Sequence, residues 1–322
     1  MAIQKVSSFQ NVDPQIGALY LVPTPIGNLN DMTPRAVETL KQADYIAAED
    51  TRNTQKLLNH FDIHTKQISF HKFNTQERIP ELIAMLKDGK NIAQVSDAGM
   101  PSISDPGHEL VEACAAEGIR VIALPGPSAS LTALIASGLV PQPFLFYGFL
   151  PRKKTEQVAA LEKLNSQTVT MIFYEAPHRL NKTLKNLMAV FGKERKIVLC
   201  RELTKRYEEY LRGTLADAVK WSNQEEVRGE FVLIVEGNAH LEESQPEKAS
   251  GSLKDQVQQL IDDQQMKPNA AIKQVAKNNH LKKQDVYNEY HGLIRKVSFK
   301  EWVLCQEKSI PKSIKLFILK PM

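Results

Sequence analysis

Short apolar runs alternate with amphipathic stretches along the first 140 residues of the chain. Residues 18–22 (ALYLV) and 45–48 (YIAA) have the length and composition of buried strands. Between such runs, segments such as 77–87 place apolar residues at the three- and four-residue spacing of a helix. Strand, loop and helix recur about five times, which predicts an α/β fold with a mostly parallel, doubly wound sheet.

A different pattern begins near residue 139. Apolar runs at 144–149, 168–174, 197–201 and 231–235 alternate with helical segments, which predicts a second, mixed sheet. Further amphipathic helices follow between residues 253 and 293. We therefore predict an N-terminal α/β domain (18–138), a second α/β domain (139–238), a polar linker (239–252), a small helix-turn-helix-like domain (253–293) and an atypical basic tail (294–322).

Composition narrows the class of protein. The chain is 42% hydrophobic and 24% charged, as in soluble globular proteins, and from its first residues and the lack of a long apolar run we expect neither a signal peptide nor a membrane span. Its three cysteines lie far apart and form no CxxC pair, which favours a reducing cytoplasm and argues against a structural zinc site. The net charge of +4 comes from the tail, where residues 295–322 hold seven Lys or Arg and two Glu. Bulk charge is therefore no evidence for RNA binding.

Three predicted strands end in loops rich in Gly, Pro and Ser, at residues 23–28, 96–107 and 125–130. One such loop is more often only a turn. Because the carboxyl ends of parallel strands share one edge of a sheet, three of them favour a ligand-binding edge. The chain has no phosphate-binding Gly-rich motif after its first strand, so we do not expect a nucleotide held by its phosphates.

Charged residues offer candidates for chemistry. The segment 49–52 (EDTR) follows the second strand, where two carboxylates and a guanidinium suit proton transfer or substrate positioning. The alternative is that Asp50 only caps the next helix and Arg52 is solvated. His71, with Asn74, faces a similar choice. Basic loops at 152–154, 178–179 and 205–206 are either phosphate contacts or ordinary solvated surface.

The loop SDAGMPSISDPG (96–107) resembles the signature of the small-subunit ribosomal RNA 2'-O-methyltransferases that act on a decoding-region cytidine, within the tetrapyrrole-methylase superfamily. The resemblance extends in order and spacing over residues 18–237. It includes VPTPIGNLNDMTPRAVETL (22–40), AEDTRNTQKLL (48–58), LPGPSAS (124–130), FYGFLPR (146–152), FYEAPHRL (173–180), RELTK (201–205) and GEFVLIVEG (229–237). The tail after residue 293 is not part of this pattern.

The resemblance implies a two-domain tetrapyrrole-methylase-like enzyme, homodimeric and cytoplasmic, with S-adenosyl-L-methionine as cofactor and the 16S rRNA of the small ribosomal subunit as partner. Carried over by position, the cofactor contacts are Ile26, Ala98, Gly99, Met100, Ile103, Ser128, Ala129, Tyr174, Glu175 and Gly213. Two alternatives remain: a small-molecule methyltransferase acting on a corrin or in a diphthamide-type pathway, and a non-catalytic ribosome-binding protein.

Roles in catalysis and RNA binding follow from position and chemistry. Asp50 is our first candidate for the general base, Arg52 orients RNA, and Asp97 is either a base or a polar cofactor contact. His71 and Glu202 are rivals for the base. The predicted RNA contacts are Arg152, Lys153, Lys154 and Arg179.

Overall fold

The computed structural model describes residues 3–7, 13, 15–239, 252–279 and 281–293. The predicted basic tail (294–322) and residues 240–251 of the predicted linker lie outside the described residues. The described residues divide into two compact units, one ending at 239 and one beginning at 252.

The first sheet of the larger unit is parallel throughout, with the strand order β3-β2-β4-β1-β5. Its strands are β1 (Ala18–Leu21), β2 (Tyr45–Ala48), β3 (Lys66–Ser69), β4 (Ile92–Val95) and β5 (Arg120–Ala123). The helices that alternate with them are α1 (Pro34–Gln42), α2 (Thr51–His60), α3 (Thr75–Lys87), α4 (His108–Ala116) and α5 (Ala129–Ser137), and a short 3-10 helix covers Leu29–Asp31.

Local sequence explains where these elements form. The Thr33 side chain accepts a hydrogen bond from the Ala36 N–H and Pro34 occupies the first turn of α1, as the sequence predicts. Helices cover both faces of the sheet: Leu40 and Leu58 pack on one side, and Leu82 and Leu110 on the other. The doubly wound arrangement is confirmed, and the strand order sets the ends of β4, β1 and β5 side by side.

The second sheet is mixed, which confirms the α/β fold class in both sheets. Its order is β6-β7-β10-β8-β9; β6 and β7 are parallel and the other pairs antiparallel. The strands are β6 (Phe144–Phe149), β7 (Thr170–Glu175), β8 (Lys196–Arg201), β9 (Glu209–Thr214) and β10 (Phe231–Val235); the helices are α6 (Lys154–Leu164), α7 (Pro177–Phe191) and α8 (Leu215–Gln224).

Strand β9 has no apolar run in its sequence and was not predicted. Its sequence EYLRGT mixes charged residues with a glycine. It is an edge strand that pairs with β8 on one side, so it does not need the apolar run of a central strand. Helix α5 packs its residues Ala133 and Leu134 against Ile172 and Cys200 of this second sheet. The boundary predicted at residue 138 falls between α5 and β6, and it stays a prediction.

The smaller unit is a bundle of three short helices, α9 (Leu253–Gln264), α10 (Pro268–Asn278) and α11 (Lys283–Tyr290). Val257, Ile272, Val275 and Val286 form its buried core. Ser252 and Asp255 cap α9 reciprocally. Across the described ranges, none of the helices has the length and apolar composition needed to cross a membrane.

Candidate active site

The three glycine- and proline-rich loops meet at one edge of the first sheet, as predicted. Thr24 and Gly99 exchange two backbone hydrogen bonds of 3.0 Å each, which join the loop after β1 to the loop after β4. The loop after β5 lies against the first: a Cβ on Gly126 would come within 2.6 Å of Pro23 Cβ. The three loops therefore form one continuous surface, called below the loop edge.

A buried amide fastens the longest of these loops. The Gln94 Nε2 group, on β4, donates to the Pro106 carbonyl oxygen at 2.8 Å. Gly107 follows with φ of +143°, and any Cβ there would collide with the Gln94 amide. Gln94 is a residue of this edge that the sequence motifs do not identify. Its only signal is one polar residue inside an apolar strand, IAQV.

Most of the predicted cofactor contacts lie on the loop edge. A Cβ on Gly99, whose φ is +78°, would sit 3.3 Å from Ile26 Cγ2 and 3.7 Å from the Pro127 carbonyl oxygen. Only a glycine leaves that space open between the three loops. Met100, Ser128 and Ala129 are half-buried, whereas Ala98 and Ile103 are exposed. This small-residue cradle, half-buried and open on one side, suits a bound cofactor.

Tyr174 brings the second sheet to the same edge. Its hydroxyl forms a hydrogen bond with Ser130, at the start of α5, and burial raises the pKa of the phenol. The ring packs edge-on against Phe146 and Phe149, with centroids 5.1 and 5.5 Å away. Tyr174 is thus held where the two sheets meet.

Two other predicted site residues pair with each other. The Glu175 carboxylate is fully buried and lies 3.1 Å from Arg179 Nε. It also accepts a 2.6 Å hydrogen bond from the Thr183 hydroxyl. Arg179 donates further to the Leu150 carbonyl oxygen at 2.8 Å. This geometry favours a structural role for both side chains rather than the cofactor contact predicted for Glu175 and the RNA contact predicted for Arg179.

Gly213 lies away from this edge. It belongs to β9 and pairs with Ile197, at the beginning of β8. Through β10, Ile197 is level with Met171, at the opposite end of β7 from Tyr174. The structure gives no support to a cofactor contact at Gly213, which stays a prediction. The sequence pattern did not identify β9 and therefore could not give the direction of the chain there.

Asp50 is the N-cap of α2, the alternative that the sequence left open. Its Oδ1 accepts the Arg52 backbone N–H at 2.9 Å, and its Oδ2 lies 2.8 Å from Arg52 Nη2. The hydrogen bonds from the Arg52 side chain and backbone lower the pKa of Asp50 to about 2. The Arg52 side chain itself is 86% exposed.

The neighbouring carboxyl has the opposite electrostatics. Burial, and then the charges of Asp105 and Asp97, raise the pKa of Glu49. Its carboxylate accepts a hydrogen bond from the Asp97 backbone N–H, next to Ala98 in the loop after β4. The Asp97 side chain, exposed, accepts from Asn53 Nδ2 at 3.3 Å. Glu49 is therefore the stronger proton acceptor of the pair Glu49 and Asp50.

The two rival bases each accept hydrogen bonds within the fold. His71 Nδ1 accepts the Phe73 N–H at 3.3 Å. Glu202 Oε1 accepts from the Lys205 ammonium at 3.0 Å and from the Glu230 N–H at 2.9 Å. Within the described part of the chain, no group of three His, Cys, Asp or Glu side chains is arranged to hold a metal ion.

The remaining basic candidates lie at the surface. Arg152, Lys153 and Lys154 are exposed at the start of α6. Lys153 Nζ forms an exposed ion pair with Glu156 Oε1 at 3.1 Å. All three side chains are exposed, so that an RNA phosphate can reach them.

Comparison with known proteins shows which family this chain resembles. The model of the tetrapyrrole (corrin/porphyrin) methylases matches residues 18–219. The chain is 53% identical over 277 residues to the Streptococcus pyogenes serotype M3 protein named ribosomal RNA small subunit methyltransferase I. That alignment covers 86% of this chain and 96% of the relative.

Solved structures share the fold. Diphthine synthase matches with a TM-score of 0.56 at 16% identity, over 69% of this chain and 90% of that one. Uroporphyrin-III C-methyltransferase from Thermus thermophilus, complexed with S-adenyl homocysteine, matches with a TM-score of 0.50 at 18% identity, over 68% and 97%. These likenesses extend the α/β assignment to a two-sheet methylase fold.

Proposed function

This chain belongs to the tetrapyrrole (corrin/porphyrin) methylase family, and from that membership we propose that it methylates small-subunit ribosomal RNA. In the finer form of the proposal, the acceptor is the ribose 2'-hydroxyl of a cytidine in the decoding region of 16S rRNA. One observation carries it: the loop edge is intact, with Thr24 and Gly99 joined, in a chain 53% identical to a named ribosomal RNA small subunit methyltransferase.

The methyl donor is S-adenosyl-L-methionine, in keeping with the S-adenyl homocysteine bound to the T. thermophilus relative of the same fold. When bound, it supplies a methyl group already activated on a positively charged sulfur. The cradle beside Gly99 fits such a group, since Gly99 adds no side chain between Ile26 Cγ2 and the Pro127 carbonyl oxygen. The residues that would hold it are Ile26, Ala98, Gly99, Met100, Ile103, Ser128, Ala129 and Tyr174.

Catalysis at this edge consists of orienting the hydroxyl and removing its proton. Correct orientation of the reacting groups lowers the activation barrier by up to about 7–11 kcal/mol in favourable cases. We assign the proton to the Glu49 carboxylate, because burial and two neighbouring carboxylates make it the more basic group. Asp50 fixes the exposed Arg52 guanidinium for an RNA phosphate, and Asp97 positions Glu49 through its backbone N–H.

The exposed side chains of Arg152, Lys153 and Lys154 contact the RNA backbone in this proposal. The protein acts as a cytoplasmic homodimer on the small subunit. Exposed apolar side chains at Leu131, Ile135 and Val140 support a partner surface, with 48%, 79% and 68% of each accessible.

The test is methyl transfer itself. Small ribosomal subunits that lack the modification are incubated with the full-length protein and tritiated S-adenosylmethionine. We expect label in alkali-resistant cytidine dinucleotides, because a 2'-O-methyl group blocks alkaline cleavage. Tight subunit binding without label would instead identify a non-catalytic ribosome-binding protein. Label on a tetrapyrrole or diphthamide precursor, and none on RNA, would identify a small-molecule enzyme.

A further inference from the structure

Two side chains beside the loop edge carry buried oxygen atoms without a partner. Within the described residues, neither Asp31 Oδ2 nor Thr204 Oγ1 has a hydrogen-bond partner. Asp31 ends the short 3-10 helix after β1, and Thr204 lies in the turn after β8. Buried polar atoms left unpaired cost folding free energy, so native structures retain few of them, and those few call for an explanation.

Both residues line the same cleft. It measures about 310 Å³ and is walled by Ile26 and Pro127. The other residues lining it are Thr33, Gly126 and Thr132. Apolar walls with a few polar groups are typical of small-ligand sites, and the volume lies at the lower end of their range. This cleft, called below the Asp31 cleft, is large enough for a small ligand.

The position of Thr204 is held against backbone strain. It has a φ of +65°, in the left-handed region that β-branched residues avoid, and Glu202 has a φ of +50°. Lys205 Nζ ties the turn together, 3.0 Å from Glu202 Oε1 and 2.8 Å from Glu230 Oε2. The turn also lies directly on Gly27, where a Cβ would come within 3.1 Å of Thr204 Oγ1. The hydroxyl is therefore fixed relative to the loop that carries Ile26.

We propose that the Asp31 cleft binds a nucleobase with an exocyclic amine, which donates to the Asp31 carboxylate while the Thr204 hydroxyl bonds the edge of the ring. Carboxylates are the natural acceptors for the N4 amine of cytosine, and flipped bases are read by hydrogen bonds along this edge. Uracil has a carbonyl oxygen at that position and repels a carboxylate. The inference rests on the proposed function, under which the base is the cytosine of the methylated nucleotide.

The first arm measures base discrimination. Small subunits are reconstituted with cytidine or uridine at the methylated position, and kcat/KM is measured for each. The wild-type protein should prefer cytidine by about 10- to 100-fold. Asp31→Asn should bring the ratio close to one, because an amide both donates and accepts. A loss of folding cannot produce that result, since it lowers both rates equally.

The second arm tests the other source of the same chemistry, the adenine of the cofactor. Calorimetry compares the Kd of S-adenosylhomocysteine with that of S-inosylhomocysteine, in which an oxygen replaces the amine. If Asp31→Asn removes this preference and leaves the cytidine preference intact, the cleft holds the cofactor base. If neither ratio changes, the proposal is overturned. A wild-type protein that methylates neither subunit refutes the proposed function instead, and the calorimetric arm still decides the cleft.

Two further variants guard the result. Thr204→Val keeps the β-branched shape and removes only the hydroxyl, so it should weaken the same ligand that Asp31→Asn affects. Asp62→Asn makes the same charge change at an exposed carboxylate paired with His64, and should leave both ratios unchanged. Equal effects of Asp31→Asn and Asp62→Asn would mean that net charge, not the cleft, sets the preference.

Discussion

The loop edge of the first sheet and the end of β7 in the second sheet both collect charged residues, yet they use them in different ways. At the end of β7, Glu175 meets Arg179, Thr183 and its own chain, and its carboxylate is fully buried. At the loop edge, burial and the charges of Asp105 and Asp97 raise the pKa of Glu49 more than the Asp97 N–H and the Lys72 charge lower it. The charge of Glu175 is thus neutralised within the fold, whereas Glu49 can still accept a proton.

The difference separates structural from chemical roles. A carboxylate whose hydrogen bonds and charge are satisfied within the fold stabilises that fold and has little left for a substrate. A carboxylate whose pKa is raised by burial and by neighbouring negative charges accepts a proton more readily, and can therefore take part in a reaction. Three carboxylates test this contrast, in decreasing order of expected effect.

Glu49→Gln should lower kcat by about 10²- to 10⁴-fold, the usual contribution of a general base. The pKa of Glu49 is raised above 4.5, so wild-type activity should fall as the pH drops through a midpoint above that of an ordinary glutamate. The measurement is a single-turnover methylation rate over pH, with the Kd for the cofactor determined in parallel. Asp50→Asn is the matched control, since asparagine also caps helices well. If Asp50→Asn abolishes turnover and Glu49→Gln does not, the two roles are reversed.

Glu175→Ala should destabilise the protein by about 3 kcal/mol, because it leaves the largely buried Arg179 without its partner. Urea unfolding measures this change. Cofactor affinity of the folded variant should remain close to that of the wild type, which separates a structural role from a binding one. Glu117→Ala removes an exposed partner of Lys87 and should cost no more than about 1 kcal/mol. A stable Glu175→Ala variant that no longer binds cofactor would restore the predicted contact.

Asp50→Asn should give the smallest effect, a loss of stability that is present above pH 4 and disappears in acid. Its pKa is lowered to about 2 in the folded protein, against 3.8 for an ordinary aspartate. Its contribution to stability is therefore complete above pH 4 and is lost as the pH falls towards 2. The urea midpoint is measured at pH 4 and near pH 2 for both proteins. Between these two pH values it should change less in Asp50→Asn than in the wild type. An identical pH slope in both proteins would mean that the Arg52 pair contributes nothing.

The chain's own pattern was enough to predict much of this protein. Periodicity located the five parallel strands and their helices, because burial of one face is written into short stretches of sequence. Local chemistry predicted the cap at Thr33 and the turn-forming loops that meet at the sheet edge. These are interactions within a few residues, or consequences of parallel strand order.

Only the tertiary structure decided which polar groups are already satisfied. It paired Glu175 with Arg179, made Asp50 a cap while leaving Glu49 basic, and carried Gly213 to the far end of a strand that the sequence did not reveal. The reason is that hydrogen-bond partners, burial and strand direction depend on residues distant in sequence. The sequence gives the type of each side chain, but its neighbours in space determine whether its hydrogen-bonding groups are still free to bind a ligand.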